Sequence, residues 1–106
     1  MNQPPTENSQ VPNLLSLITG WHYDRQLIQN STDLAQFAKM VSEVGELADN
    51  IAKGKDLKDD IGDIIVVLVN IAERNGLSIE QCLEQAWHDI KDRTGHMSES
   101  GVFVKD

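Results

Sequence analysis

From Asn13 to Ile90, apolar residues recur at intervals of three and four, and the recurrence breaks only at short turn-like segments. That period places them on one face of a helix, whereas a half-buried strand would need strict alternation. Leu14, Leu15, Leu17, Ile18 and Trp21 form the first stripe, with Asn13 as its cap. A second helix is expected from Ser31 or Thr32, with Asp33 in its first turn and Leu34, Phe37, Ala38, Val41, Val44, Ala48 and Ile51 as its stripe. Gly54 is its stop. Asp56 opens a third helix on Leu57, Ile61, Ile64, Ile65, Leu68, Ile71 and Ala72, ended by Asn75-Gly76. Ser78 and Gln81 make a capping box for a fourth, which carries Ile79, Leu83, Ala86, Trp87 and Ile90 and stops near Gly95. Four helices with brief connections predict an all-α, four-helix antiparallel bundle over residues 13–106. The segment 1–12 is polar, holds all three prolines and is expected to be a flexible tail. Residues 101–106 are expected to form a small strand or an ordered tail.

Two acidic pairs lie on this frame: Glu43 with Glu46 on the second helix, and Asp60 with Asp63 on the third. Spacing of i, i+3 stacks both carboxylates of a pair on one helical face, so four acids can converge between antiparallel neighbours. Bare carboxylates at close range repel and raise one another's pKa, whereas hard divalent cations take oxygen ligands. On a helical wheel the stripe Asp56, Asp59, Asp60, Asp63 continues into Val67 and Asn70, so the acids are expected at the rim of something buried rather than on a solvated face. The run Ile64 to Val69 is apolar on nearly every side, which asks for cover from a bundle partner and from another subunit.

Charge narrows the partners. With 9 Lys plus Arg against 17 Asp plus Glu, the chain carries a formal charge of −8, which disfavours adhesion to a nucleic-acid polymer. No apolar run approaches the roughly 20 residues of a membrane span. The single cysteine, Cys82, cannot form an intramolecular disulfide, and the N-terminus has no basic start or apolar core of a secretion signal, so a cytoplasmic location is expected. Lys53-Gly54-Lys55 is not a phosphate loop, because Asp49 stands where its first glycine would be. Asp56 to Val67 is not an EF-hand, since Ile61 and Val67 occupy its sixth and twelfth positions. His22, His88 and His96 sit at no metal-ligand spacing.

The runs Lys39-Met40-Val41-Ser42-Glu43-Val44-Gly45-Glu46-Leu47 and Asp60-Ile61-Gly62-Asp63-Ile64 resemble the E-x-x-E…[ED]-x-x-D signature of the MazG-like all-α nucleoside triphosphate pyrophosphatases. The resemblance extends over about residues 14–106: Trp21 with Arg25 looks like the family's N-terminal segment, and residues 90–95 with 101–103 look like its C-terminal one. Ser42 stands where many members carry a third acid, Asp60 where glutamate is more common, and His88 where short members often have Asn. The resemblance implies hydrolysis of a (deoxy)nucleoside triphosphate to monophosphate and pyrophosphate in nucleotide-pool house-cleaning. It also implies Mg²⁺ held by Glu43, Glu46, Asp60 and Asp63, with Mn²⁺ as a substitute, and a tetramer built from dimers. A triphosphate brings about four negative charges to an acidic protein, so cations must stand between them. Lys39, one turn before Glu43, together with Lys91 and Arg93, are the candidates to stabilise charge on departing pyrophosphate. Trp21 is a base-stacking candidate if an open pocket lies next to the acids. The rival reading is a non-catalytic acidic helical module that binds a partner protein through an apolar face.

Overall fold

The computed structural model describes residues 3–106, with side chains from Gln10 onward. Four helices, α1 (Gln3–Asp24), α2 (Asp33–Ala52), α3 (Lys58–Arg74) and α4 (Ile79–Ile90), precede a hairpin of β1 (Gly95–Met97) and β2 (Phe103–Lys105). The fold is all-α with a small C-terminal hairpin, in which His96 pairs with Val104 in antiparallel register. Helix α1 begins at Gln3 rather than at the cap expected at Asn13, so the segment expected as a tail continues the helix. Pro4 and Pro5 fall in its first turn, where a missing N–H removes no helical bond.

The other boundaries follow local chemistry. Thr32 caps α2 by accepting the Ala35 N–H, and the chain leaves α2 through Gly54, whose φ of +68° is the left-handed conformation that glycine reaches without a Cβ clash. Ser78 and Gln81 form the reciprocal capping box of α4. Asp56 accepts the Lys58 N–H, which moves the first helical residue of α3 two places beyond the expected opening. Helix α4 ends at Ile90, earlier than the expected stop near Gly95, because Gly95 is already in the hairpin. A Cβ there would lie 2.2 Å from the Val104 carbonyl oxygen.

Helix α3 is the central element and packs on α2, α1 and α4. Its buried face carries Asp60, Val67 and Asn70, together with Val69 and Ala72, as the wheel of acids running into Val67 and Asn70 implies. Ile65 and Leu68 remain exposed. The orientation of α2 departs from expectation. Its apolar stripe of Leu34, Phe37, Val41, Val44 and Ile51 lies on the exposed side, and its less exposed side carries Gln36, Met40, Glu43, Leu47 and Asn50. Thus α2 turns inward the mixed stripe that carries Glu43 and leaves the apolar one open. Between α1, α3 and α4 runs a second apolar surface, a groove of about 610 Å³ lined by Leu15, Ile65, Leu68, Ile71, Leu83 and Ala86 among others.

Candidate active site

The inward stripe of α2 meets the N-terminal half of α3, where Glu43, Asp60 and Asp63 lie, whereas Glu46, expected with them, is exposed. Glu43 is 7% exposed and Asp60 9%, values that exclude a solvated-face role for either. Asn50, two turns after Glu43 on the same side of α2, donates from Nδ2 to Asp60 Oδ2 at 2.8 Å and so ties the two helices at the acids. Lys39 Nζ stands 3.8 Å from Glu43 Oε1, an i, i+4 contact between an exposed ammonium and a buried carboxylate.

Asp63, one turn beyond Asp60 and half-buried, is held above the usual carboxylate range. Burial is the largest cause, followed by the negative charges of Asp59, Glu43 and Asp60 and by a hydrogen bond with Glu43 that only the protonated acid can donate. Asp59, Glu43 and Asp60 therefore act electrostatically on Asp63, while Glu46 is exposed on α2. Among the described residues no three acids, histidines or cysteines stand together as a ready metal-binding group. The donor set nonetheless fits a hard divalent ion. It consists of carboxylate oxygens on rigid helices, and the burial and neighbouring negative charge that raise Asp63 are what a cation there would offset.

A raised carboxyl has a consequence for stability. The folded chain binds that proton more readily than the unfolded chain, so metal-free stability falls as pH rises from the ordinary carboxylate range through the raised value of Asp63. Asp63→Asn should remove this slope. Urea melts of the metal-free protein at several pH values check it: the variant should be the more stable at neutral pH, and its advantage should vanish in acid.

Asp63 also borders a cleft of about 440 Å³ whose other lining residues are Leu14, Leu17, Ile18, Trp21 and Val66. This is the open pocket beside the acids that a base-stacking role for Trp21 requires. The Arg25 guanidinium lies over the Trp21 ring, 4.4 Å from its centroid, which leaves the indole fixed but partly exposed. Lys91 pairs with Asp92 at 4.0 Å just after α4, and Arg93 lies exposed in the following turn. Among the described residues no ion pair or hydrogen bond joins either one to the acids. His88 is exposed on α4.

The sequence reading did not single out Asn50, His22 or Asn70 as partners. Asn50 could have been found, because it continues the i, i+3/i+4 row of Glu43 and Leu47. His22 and Asn70 are brought together from α1 and α3 by tertiary packing, and no local spacing signals it.

The model of the MazG nucleotide pyrophosphohydrolase domain matches residues 31–98, more than half of the chain, and the match spans both acidic pairs. The chain belongs to the MazG nucleotide pyrophosphohydrolase domain family. It is also similar to an uncharacterized 18.2 kDa protein from the rep-hol intergenic region of Haemophilus phage HP1, with 39% identity over 79 residues. That alignment covers 73% of this chain and 47% of the phage protein, so the chain spans about half the length of this curated relative. No solved structure matches the chain. As in the MazG domain generally, the architecture is helical, and among the described residues no helix is long and apolar enough to cross a membrane.

Proposed function

We infer that this MazG domain hydrolyses nucleoside triphosphates to the monophosphate and pyrophosphate, at a site formed by Glu43, Glu46, Asp60 and Asp63 with Mg²⁺ as the cofactor and Mn²⁺ as a substitute. The observation that carries the reading is the meeting of a carboxylate cluster with an apolar cleft at one residue, Asp63. One end of this site suits a polyphosphate with its cations, and the other suits a nucleobase.

The residues divide the work accordingly. The acids would hold the cations, which when bound would supply charge neutralisation for the polyphosphate and a more acidic attacking water. Asn50 keeps Asp60 aimed between the helices, through the bond at 2.8 Å. Trp21, backed by Arg25, offers its free area to the base, while the aliphatic walls Leu14, Leu17, Ile18 and Val66 exclude water from it. Lys39 is close enough to the cluster to meet negative charge on the departing pyrophosphate once its contact with Glu43 is exchanged for one with phosphate. Lys91 and Arg93 serve the same end from the segment that follows α4. Among the described residues no hydrogen bond or ion pair joins them to the acids within one chain, so this role requires a site completed by another subunit.

The exposed stripe of α2 supports a dimer, and the groove of about 610 Å³ offers a second surface for a tetramer formed as a dimer of dimers. A cytoplasmic house-cleaning role, acting on free nucleotides rather than on nucleic-acid polymers or membranes, is consistent with the charge of −8. The same exposed faces would serve a non-catalytic interaction module. That reading requires Mg²⁺ at millimolar concentration to leave the melting temperature unchanged.

The test is a screen of ribo- and deoxynucleoside triphosphates with Mg²⁺, run in ¹⁸O-labelled water. Label in the monophosphate and unlabelled pyrophosphate are expected. No phosphate-cradling glycine loop grips the distal phosphates, so side-chain acids and their cations must position the α-phosphorus. Label mainly in pyrophosphate would place attack at the β-phosphorus. Orthophosphate with accumulating diphosphate would end the pyrophosphatase reading.

A further inference from the structure

His22 on α1 is 2% exposed and Asn70 on α3 is fully buried. Their bonds define one arrangement of hydrogens. The Val66 carbonyl, 2.8 Å from His22 Nε2, can only accept, so Nε2 carries the proton. Asn70 Nδ2 spends one N–H on the Leu27 carbonyl at 3.1 Å and the other on His22 Nδ1 at 3.2 Å, which must accept through its lone pair. The imidazole is thus neutral. Asn70 Oδ1 is buried without a hydrogen-bond partner among the described residues.

Stability does not account for such a pair. An orphaned buried amide oxygen is costly, whereas two apolar side chains of similar size would fill the same space without the cost. The bonds converge instead on the walls of the cleft beside Asp63. Val66, whose carbonyl His22 grips, lines it on α3. Trp21, adjacent to His22 in the chain and in edge contact with its ring at 5.2 Å between centroids, lines it on α1. Leu27, held by Asn70, belongs to the turn that carries Arg25, the residue over the other part of the indole. One network therefore reaches both walls and, through Leu27, the turn that carries Arg25.

We propose that His22 and Asn70 are a positioning pair that sets Trp21 and Arg25 as the base-facing wall of the nucleotide cleft, at a fixed distance from Asp63. The assignment rests on the reading of that cleft as the nucleotide site. Neither residue touches the substrate; both act through Trp21.

The experiment uses the full chain with Trp87→Phe, so that Trp21 is the sole indole, and compares it with the double variant His22→Leu/Asn70→Leu and with His22→Gln. Hydrolysis kinetics, acrylamide quenching of Trp21 and thermal melting are read for each. The double variant should keep its helical content and melting temperature. Its KM should rise about tenfold with kcat nearly unchanged, as expected when only uniform substrate binding is lost, and Trp21 should quench more readily. His22→Gln, whose amide supplies a donor for Val66 and an acceptor for Asn70, should recover most of the KM. A folded double variant with wild-type KM overturns the proposal, because the pair would then be structural only. If the double variant fails to fold, His22→Asn decides the matter. It keeps an acceptor for Asn70 and withdraws the donor to Val66, so a KM equal to wild type would again overturn the proposal. If the parent hydrolyses no nucleotide, the reading of the cleft fails separately, and unchanged Trp21 quenching in the variants would dispose of the pair as well.

Discussion

Glu43→Ala, Asp60→Ala and Asp63→Ala will each lower the rate of nucleotide hydrolysis by about a hundredfold or more while the helices persist. The expected magnitude follows from what each acid does for a polyphosphate. Losing one carboxylate from a cation cluster removes a ligand and shifts the charge that the attacking water experiences. Glu46, exposed on α2, belongs to the same set and should behave alike once cations and substrate draw the cluster together. The four variants differ in their metal-free stability. Asp63→Ala removes a carboxyl that burial and its acidic neighbours already disfavour, so the metal-free protein should melt no lower than wild type. Asp60→Ala leaves the Asn50 amide without its acceptor and should cost about 1 kcal/mol, the usual net worth of such a bond. Millimolar Mg²⁺ should raise the melting temperature of the wild type and do so much less in each variant. Near-normal activity in all four would remove these acids from the mechanism.

Much of this site was legible in the sequence because it rests on helix periodicity. The i, i+3 spacing selects the acidic pairs as candidates, and the continuation of the Asp60 and Asp63 stripe into Val67 and Asn70 agrees with the burial of Asp60, Val67 and Asn70 on α3. The caps were legible for the same reason: Thr32, the Ser78 and Gln81 box, and the glycines at positions 54 and 76 are local chemistry. Periodicity does not say what an apolar stripe faces. The stripe of α2 looked like the seam of a monomeric bundle, yet Glu43, Leu47 and Asn50 take that place and the stripe points away. Two faces of α2 compete for the interior of one short chain, and the face that carries Glu43, Leu47 and Asn50 occupies it. Asn70 was readable as part of a face, but its pairing with His22 lies 48 positions distant in sequence and only the tertiary fold reveals it. Three prolines predict a tail over residues 1–12, whereas α1 begins at Gln3, with Pro4 and Pro5 in a first turn that tolerates them and Pro12 inside the helix.

The exposed stripe of α2 leads to the other large expected effect: Val41→Glu should convert the assembled protein into single chains of 11.8 kDa, measured by sedimentation at micromolar concentration and ordinary salt. Leu34, Phe37, Val41, Val44, Ala48 and Ile51 are spaced 3-4-3-4-3, the repeat of a two-helix seam with knobs-into-holes packing, and Val41 lies near its middle. The five large side chains are each about half exposed or more in the single chain. Covering what remains of each is worth about 1 kcal/mol, or about 10 kcal/mol for the two stripes of a symmetric pair. Association costs about 4–15 kcal/mol, so the seam is sufficient for a dimer but without a large surplus. A twofold interface admits each substitution twice, and Val41→Glu would bury two like charges near its middle. The fold of the single chain should survive, since Val41 is exposed there and touches no acid of the cluster by hydrogen bond or ion pair. If Lys91 and Arg93 act on the active site of a neighbouring chain, hydrolysis should fall together with the mass, although every acid is intact. A Val41→Glu protein that keeps its assembled mass would show that some other surface, with the groove lined by Leu68 and Leu83 as the next candidate, joins the chains.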